Sequence, residues 1–130
     1  MNELEVCTSW KKNCVSSIEG EGKNHFIPAL PYEVSEEKAM SIVVELVTNH
    51  FDRVHVKEKK SDYLHAVFTS KWMRFKDDIQ ILLDPKNKLI HIRSASRAGY
   101  YDFQVNRKRM ETFKALFQQG CFRKDCGCSN

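Results

Sequence analysis

The stretch Asp77-Asp78-Ile79-Gln80-Ile81-Leu82-Leu83-Asp84-Pro85-Lys86-Asn87-Lys88-Leu89-Ile90-His91-Ile92-Arg93 decides the fold. Two runs rich in Ile and Leu flank a cluster of turn formers. Asp84-Pro85-Lys86-Asn87 reads as a type I turn with Pro at its second position. Zipping back from that turn, Ile81 faces Ile90 and Ile79 faces Ile92, which gives the hairpin one apolar face. The same register sets Asp78 opposite Arg93 and Gln80 opposite His91 on the other face. An exposed ion pair of that kind contributes about 0–1 kcal/mol.

A second hairpin precedes this one. Val54 and Val56 alternate with His55 and Lys57, and Leu64, Ala66 and Phe68 alternate with His65, Val67 and Thr69. Matching the apolar faces pairs Val56 with Leu64 and Val54 with Ala66. Lys59-Lys60-Ser61 is then a short connecting loop. Helical periodicity brackets the four strands. Ser35 is an N-cap with Glu36 and Glu37 in the first turn, and Met40, Val43, Val44, Val47 and Phe51 form one apolar stripe. This predicts a helix from Glu36 to His50. A second is predicted over Phe103 to Gln118, with Asp102 as N-cap, Met110, Phe113, Leu116 and Phe117 as its apolar face, and Gly120 just past its end.

Each helix has one apolar stripe, and the sheet needs cover. The expected fold class is therefore α+β: a two-layer domain with a four-stranded antiparallel sheet, two helices packed on one face and an irregular N-terminal arm. The expected organisation is one domain over residues 1–130. Residues 1–34 form the arm, with a short extended piece at His25 to Ala29. Residues 35–118 form an α-β-β-β-β-α core, and 119–130 a cysteine-containing tail. A chain of 130 residues buries roughly two thirds of its unfolded surface, enough for a core without metal or disulfides.

Composition narrows the function classes. Charged residues are 29% and hydrophobic residues 42% of the chain, as in ordinary soluble globular proteins. No apolar run is long enough to span a membrane. The N-terminus has neither a basic nor an apolar leader region, so the chain reads as cytoplasmic. The net charge of +4 is mild, and the sequence lacks the basic stripe with exposed aromatics or the motif of a nucleic-acid binder, which argues against nucleic acid as a partner. The densest basic run, Arg107-Lys108-Arg109, opens a helix and reads as a solvated face or internal ion pairs, with an anion contact as the alternative.

Three constellations carry chemistry. Asp77 and Asp78 point to opposite faces of a strand, so they cannot share a proton as a catalytic dyad. Asp77 falls on the apolar face, beside Ser94 and Arg97 in the expected register. There it reads either as a satisfied buried ion pair or as a ligand-binding or acid/base carboxylate. The second is the strand-to-helix segment Arg93-Ser94-Ala95-Ser96-Arg97-Ala98-Gly99-Tyr100-Tyr101-Asp102, followed by Asn106-Arg107. Backbone N–H groups and a helix dipole can hold an anion in such a segment. The candidate ligand-binding residues are Asp77, Ser94, Ser96, Arg97, Tyr100 and Arg107. The same groups can instead cap the helix and satisfy one another.

Asn13-Cys14-Val15-Ser16-Ser17, Arg74-Phe75-Lys76-Asp77-Asp78, Arg93-Ser94-Ala95-Ser96-Arg97 with Gly99, Tyr100 and Asp102, and Asn106-Arg107-Lys108-Arg109 with Glu111 resemble the successive blocks of the DUF1499 family. The resemblance covers about residues 7 to 117. It implies that Cys14, Ser16, Ser17, Asp77, Asp78, Arg93, Ser94, Ser96, Arg97, Tyr100, Asp102, Asn106 and Arg107 belong to the family's polar set. It brings no activity with it. Gln104 stands where the family pattern takes a small residue.

The third constellation is five cysteines, Cys7, Cys14, Cys121, Cys126 and Cys128, all near the termini. Their spacings match no paired zinc motif, and they read as free or adventitiously oxidised thiols; the alternatives are thiolates from both ends meeting as metal ligands, and a functional redox or disulfide role. Cys14 is also a candidate nucleophile if a base such as His25 reaches it. His55, His65 and His91 alternate off the core face and read as a partly exposed sheet surface, with a three-histidine metal cluster as the alternative. The sequence leaves open whether the protein is an enzyme, and it names no cofactor. The expected function is a non-catalytic binding or interaction module that accepts a small anionic ligand or a protein partner's carboxylate. The alternatives are an enzyme using Cys14 and a thiol or zinc protein using the terminal cysteines.

Overall fold

A computed structural model describes residues 14–18, 26–51, 53–69, 76–97 and 103–119. The elements are β1 (Cys14–Ser16), β2 (Leu30–Pro31), α1 (Glu36–His50), β3 (Val54–Lys59), β4 (Tyr63–Thr69), β5 (Lys76–Asp84), β6 (Leu89–Ser96) and α2 (Phe103–Gln119). Among the described residues they form an α+β fold with one antiparallel sheet. Its order is β1-β6-β5-β4-β3, with β2 also paired to β6.

Among the described residues the sheet has six strands, not the four expected. The additional two come from the arm. β1 pairs Cys14, Val15 and Ser16 with Ala95, Ser94 and Arg93, and β2 pairs Leu30 and Pro31 with Ile90 and Leu89. Strands of two or three residues are too short to show alternation. They form because an uncovered β6 edge would leave a row of backbone donors and acceptors unpaired. Phe26, inside the expected extended piece, makes a parallel bridge to Ser16.

Both helices pack on one face, as expected. Met40, Val43, Leu46 and Val47 of α1 and Met110 and Phe113 of α2 join Leu64, Ile79, Ile81 and Ile92 of the sheet in one buried cluster. α1 spans the expected residues, and the Ser35 side chain accepts the Lys38 backbone N–H at 3.2 Å. Phe51, just past the helix, tilts against Phe68 with ring centroids 5.1 Å apart. Phe113 is fully buried, and a side chain of that class contributes about 1.5–3 kcal/mol on leaving water.

Both hairpins differ from the expected register by two residues. In the β5–β6 hairpin Asp84 pairs with Leu89, Ile81 with Ile92 and Ile79 with Ser94. Asp78 therefore lies opposite Ala95, Gln80 opposite Arg93, and Asp77 opposite Ser96 rather than Ser94. The cause is turn geometry. A type I turn closing a two-residue loop would splay the strands, so the loop lengthens to Pro85–Lys88. Lys88 closes it at φ 57, and Asp84 accepts from the Asn87 side chain at 2.8 Å. In the β3–β4 hairpin Val54 pairs with Phe68 and Val56 with Ala66, and a bulge interrupts the ladder between Val56 and Glu58. A shift of two preserves every face, so the apolar pattern identified the core correctly and misplaced the polar partners.

Candidate functional site

β5 sends its two consecutive carboxylates to opposite faces, and each finds a different arginine. Asp77 points toward the helices. Its side chain is 3% exposed and accepts from Arg109 Nη1 at 3.0 Å. Arg109 reaches down from α2 over the Phe68 ring, 4.7 Å from its centroid, and approaches Ser94 Oγ at 3.5 Å. Ser96 is buried directly opposite Asp77. A carboxylate among Ile and Phe side chains needs such a partner, because an unpaired buried charge is expensive.

Asp78 faces away from the helices. It accepts from Arg97 Nε at 2.8 Å and Arg97 Nη2 at 3.0 Å, and His65 Nε2 lies 2.7 Å from the same carboxylate. Partial burial opposes its charge, but the hydrogen bonds from Arg97 and His65, with their charges, outweigh it. Asp78 titrates below the usual carboxylate range. The hydrogen bond and charge of Asp78 hold the Arg97 guanidinium above its ordinary value. The Arg97 side chain is nonetheless 47% exposed. Its backbone N–H extends the ladder by donating to the Lys76 carbonyl at 2.8 Å. Lys76 is two residues before Asp78 on the same face of β5, and exposed.

A polar network continues along this second face. Arg93 Nη1 donates to Gln80 Oε1 at 3.2 Å, and Gln80 Nε2 donates to the Tyr63 hydroxyl at 2.7 Å. Ser17 Oγ accepts the Ile92 N–H at 2.8 Å and lies 3.0 Å from His91 Nδ1. These bonds tie the arm to β6.

The expected anion site is thus divided. Asp77, Ser94 and Ser96 come together on the helix side, around Arg109. Arg97, expected beside Asp77, lies on the other face with Asp78. Arg107 donates to the Phe26 carbonyl at 3.0 Å and so holds the arm against α2. Tyr100 and the expected N-cap Asp102 lie outside the described residues. Arg109, His65 and Lys76 were missed as site residues. Arg109 carried a signal, since it stands on the same helix face as Met110 and Phe113 and so beside the core. His65 became legible only with the observed register, which sets it one step from Asp78 across the β4–β5 ladder.

Cys14 is fully buried and disulfide-bonded, with its partner outside the described residues. A sulfur held in a disulfide is not a thiolate, so in this state Cys14 is not the nucleophile considered from the sequence. The other cysteines and His25 lie outside the described residues. Among the described residues no group of three His, Cys, Asp or Glu side chains is placed to hold a metal ion, and His55, His65 and His91 do not converge. A groove of about 1070 Å³ lies elsewhere, between α1 and the β3–β4 turn, with Glu37 and Glu45 on one wall and Lys59 and Lys60 on the other. It shares no residue with the polar corner at Asp78. Among the described residues no helix is long and apolar enough to cross a membrane.

A family model described as "Protein of unknown function (DUF1499)" matches residues 3–117. Comparison with curated proteins finds no match.

Proposed function

The chain belongs to the DUF1499 family, and on that premise we propose that it is a non-catalytic binding module that accepts an anionic group at Arg97. The observation that carries this reading is the state of Arg97. Two hydrogen bonds to Asp78 fix its plane, His65 braces Asp78 from behind, and almost half of the side chain stays open to solvent. An arginine offers five N–H donors, and Asp78 engages only one edge of the fork. A guanidinium already fixed in place loses little freedom on binding, so more of each new charge-assisted bond is retained as affinity. Lys76 adds a second cation on the same face, so Arg97 and Lys76 together outweigh the one carboxylate between them.

The ligand class that fits is a small phosphate-like or carboxylate group, free or carried on a protein partner. Asp77, Ser94 and Ser96 serve this site indirectly, by fixing the end of β6 from the helix side. Calorimetric titration with inorganic phosphate and with a small dicarboxylate tests the reading. The wild type is expected to saturate with one of them. Arg97→Ala is expected to weaken that binding about tenfold or more with the unfolding midpoint nearly unchanged. The absence of saturable heat from both anions in the wild type would overturn it.

A further inference from the structure

Asp78 is shared between two basic partners that meet it differently. Its Oδ2 accepts from Arg97 Nε at 2.8 Å, and its Oδ1 accepts from Arg97 Nη2 at 3.0 Å and lies 2.7 Å from His65 Nε2. An ionised carboxylate only accepts, so Nε2 carries its hydrogen whether the ring is neutral or charged. A further proton therefore enters at Nδ1, which makes no hydrogen bond among the described residues. The ring is only partly buried, so water reaches it. The ladder sets what else faces His65. Across to β5 it stands opposite Gln80, with Asp78 one step along the same face and Arg93 beyond Gln80. Across to β3 it stands opposite Glu58, whose carboxylate is 3.2 Å from Lys60 Nζ. Lys57 occupies the bulge beside Glu58, and His55 stands opposite Val67. On β4 itself Tyr63 is two residues away, with its hydroxyl accepting from Gln80. Lys76 stands at the far end of the row, opposite Thr69. Both helices pack on the other face. Asp78 is thus the one carboxylate in contact with the His65 ring among the described residues.

We propose that an anion at Arg97 binds together with a proton, which is taken up at His65 Nδ1. The inference rests on the reading of Arg97 as the anion site and adds how that site is regulated. With the site empty, the Arg97 guanidinium serves Asp78 alone. An anion on the open edge of the same guanidinium brings negative charge close to Asp78, and one cation then serves two anions. A charged imidazole against Asp78 offsets the addition, so the occupied site favours the protonated ring. Imidazole is the side chain that changes charge near neutral pH. By linkage, the anion then binds more tightly as the pH falls, by up to about tenfold per pH unit for one proton. His65 thereby makes the affinity of the Arg97 site follow the pH, without itself touching the ligand.

Calorimetric titration of the full chain tests the coupling. The probes are sulfate, a phosphate-like dianion that does not itself titrate near neutral pH, and the small dicarboxylate. Each is run in two buffers of different ionisation enthalpy, at two pH values about one unit apart across neutrality. For the anion that saturates, the heats are expected to differ between buffers in the sense of proton uptake. Its dissociation constant is expected to fall about threefold or more at the lower pH. His65→Gln is expected to bind with no buffer dependence and a nearly flat pH response. In the wild type the His65 ring resonances are expected to move toward their imidazolium positions as the anion is added, a readout that needs no variant. Saturable binding without proton uptake overturns the inference and leaves the anion site standing. So does uptake that survives in His65→Gln, which would put the proton elsewhere, and so do ring resonances that stay in place. The absence of saturable binding from both anions overturns the site and the inference with it.

Discussion

Asp77 and Asp78 are neighbours in β5, and each is paired with an arginine, yet the two pairs do different work. The Asp77–Arg109 pair is sealed between sheet and helix, with side chains 3% and 14% exposed. The Asp78–Arg97 pair lies on the other face at 23% and 47%. A buried pair is costly to assemble, and breaking it strands a charge in a medium that cannot solvate it. A pair open to water costs little to break, because water takes over the lost contacts. The same bond type therefore fixes the fold on one side of the strand and leaves a cation available on the other.

The largest expected effect comes from breaking the sealed pair. Arg109→Ala leaves Asp77 charged beneath α2 and is expected to cost about 3–5 kcal/mol in urea unfolding. Replacing both partners together, as Asp77→Leu with Arg109→Met, removes the stranded charge along with the pair. The double variant is expected to be more stable than Arg109→Ala, which a double-mutant cycle would read as strong coupling. On the open face, Arg97→Ala is expected to cost about 0–1 kcal/mol, and less as salt is added. If Arg97→Ala costs as much as Arg109→Ala, the contrast between the faces fails.

The smallest expected effect depends on pH. Asp78 has its folded-state pKa lowered, so its pairing adds stability above the ordinary aspartate pKa, and that stability is lost as the pH falls through the depressed value. Asp78→Asn is therefore expected to be less stable than the wild type at neutral pH, with the difference closing in the acid range. Urea midpoints across that range check it. A difference that stays constant, or grows on acidification, would reverse the sign of the Asp78 contribution.

The contrast between the faces was half legible in the sequence. The alternation of Asp77 with Ile79 and Ile81 placed one carboxylate on the core face and one off it, and this holds. Which arginine each would meet was not legible. Asp78 was expected to face Arg93, but the turn at Pro85–Lys88 runs two residues longer, and a cross-strand partner depends on register in a way that a face does not. Asp77 pairs with a residue from α2, and no strand register can reveal a contact between a sheet and a helix distant in sequence. β1 and β2 were hidden for a different reason. They exist because β6 has an edge to cover, and the signal lies in β6 rather than in Cys14–Ser16 or Leu30–Pro31. The basic run Arg107-Lys108-Arg109 was read correctly as belonging to a helix. Its charges are largely used within the chain, Arg107 on the Phe26 carbonyl and Arg109 on Asp77.

The central claim is that the Asp78 face can take a ligand while the Asp77 face only supports it. Amide chemical-shift mapping of the wild type and Arg97→Ala during titration with inorganic phosphate and with a small dicarboxylate, where one of the two is expected to saturate, tests it most directly. In the wild type, saturating shifts are expected at His65, Lys76, Asp78 and Arg97, with the α1 and α2 resonances still. In Arg97→Ala those shifts are expected to vanish from an otherwise unchanged spectrum. Shifts that survive the substitution, or a substitution that unfolds the protein, would contradict the account.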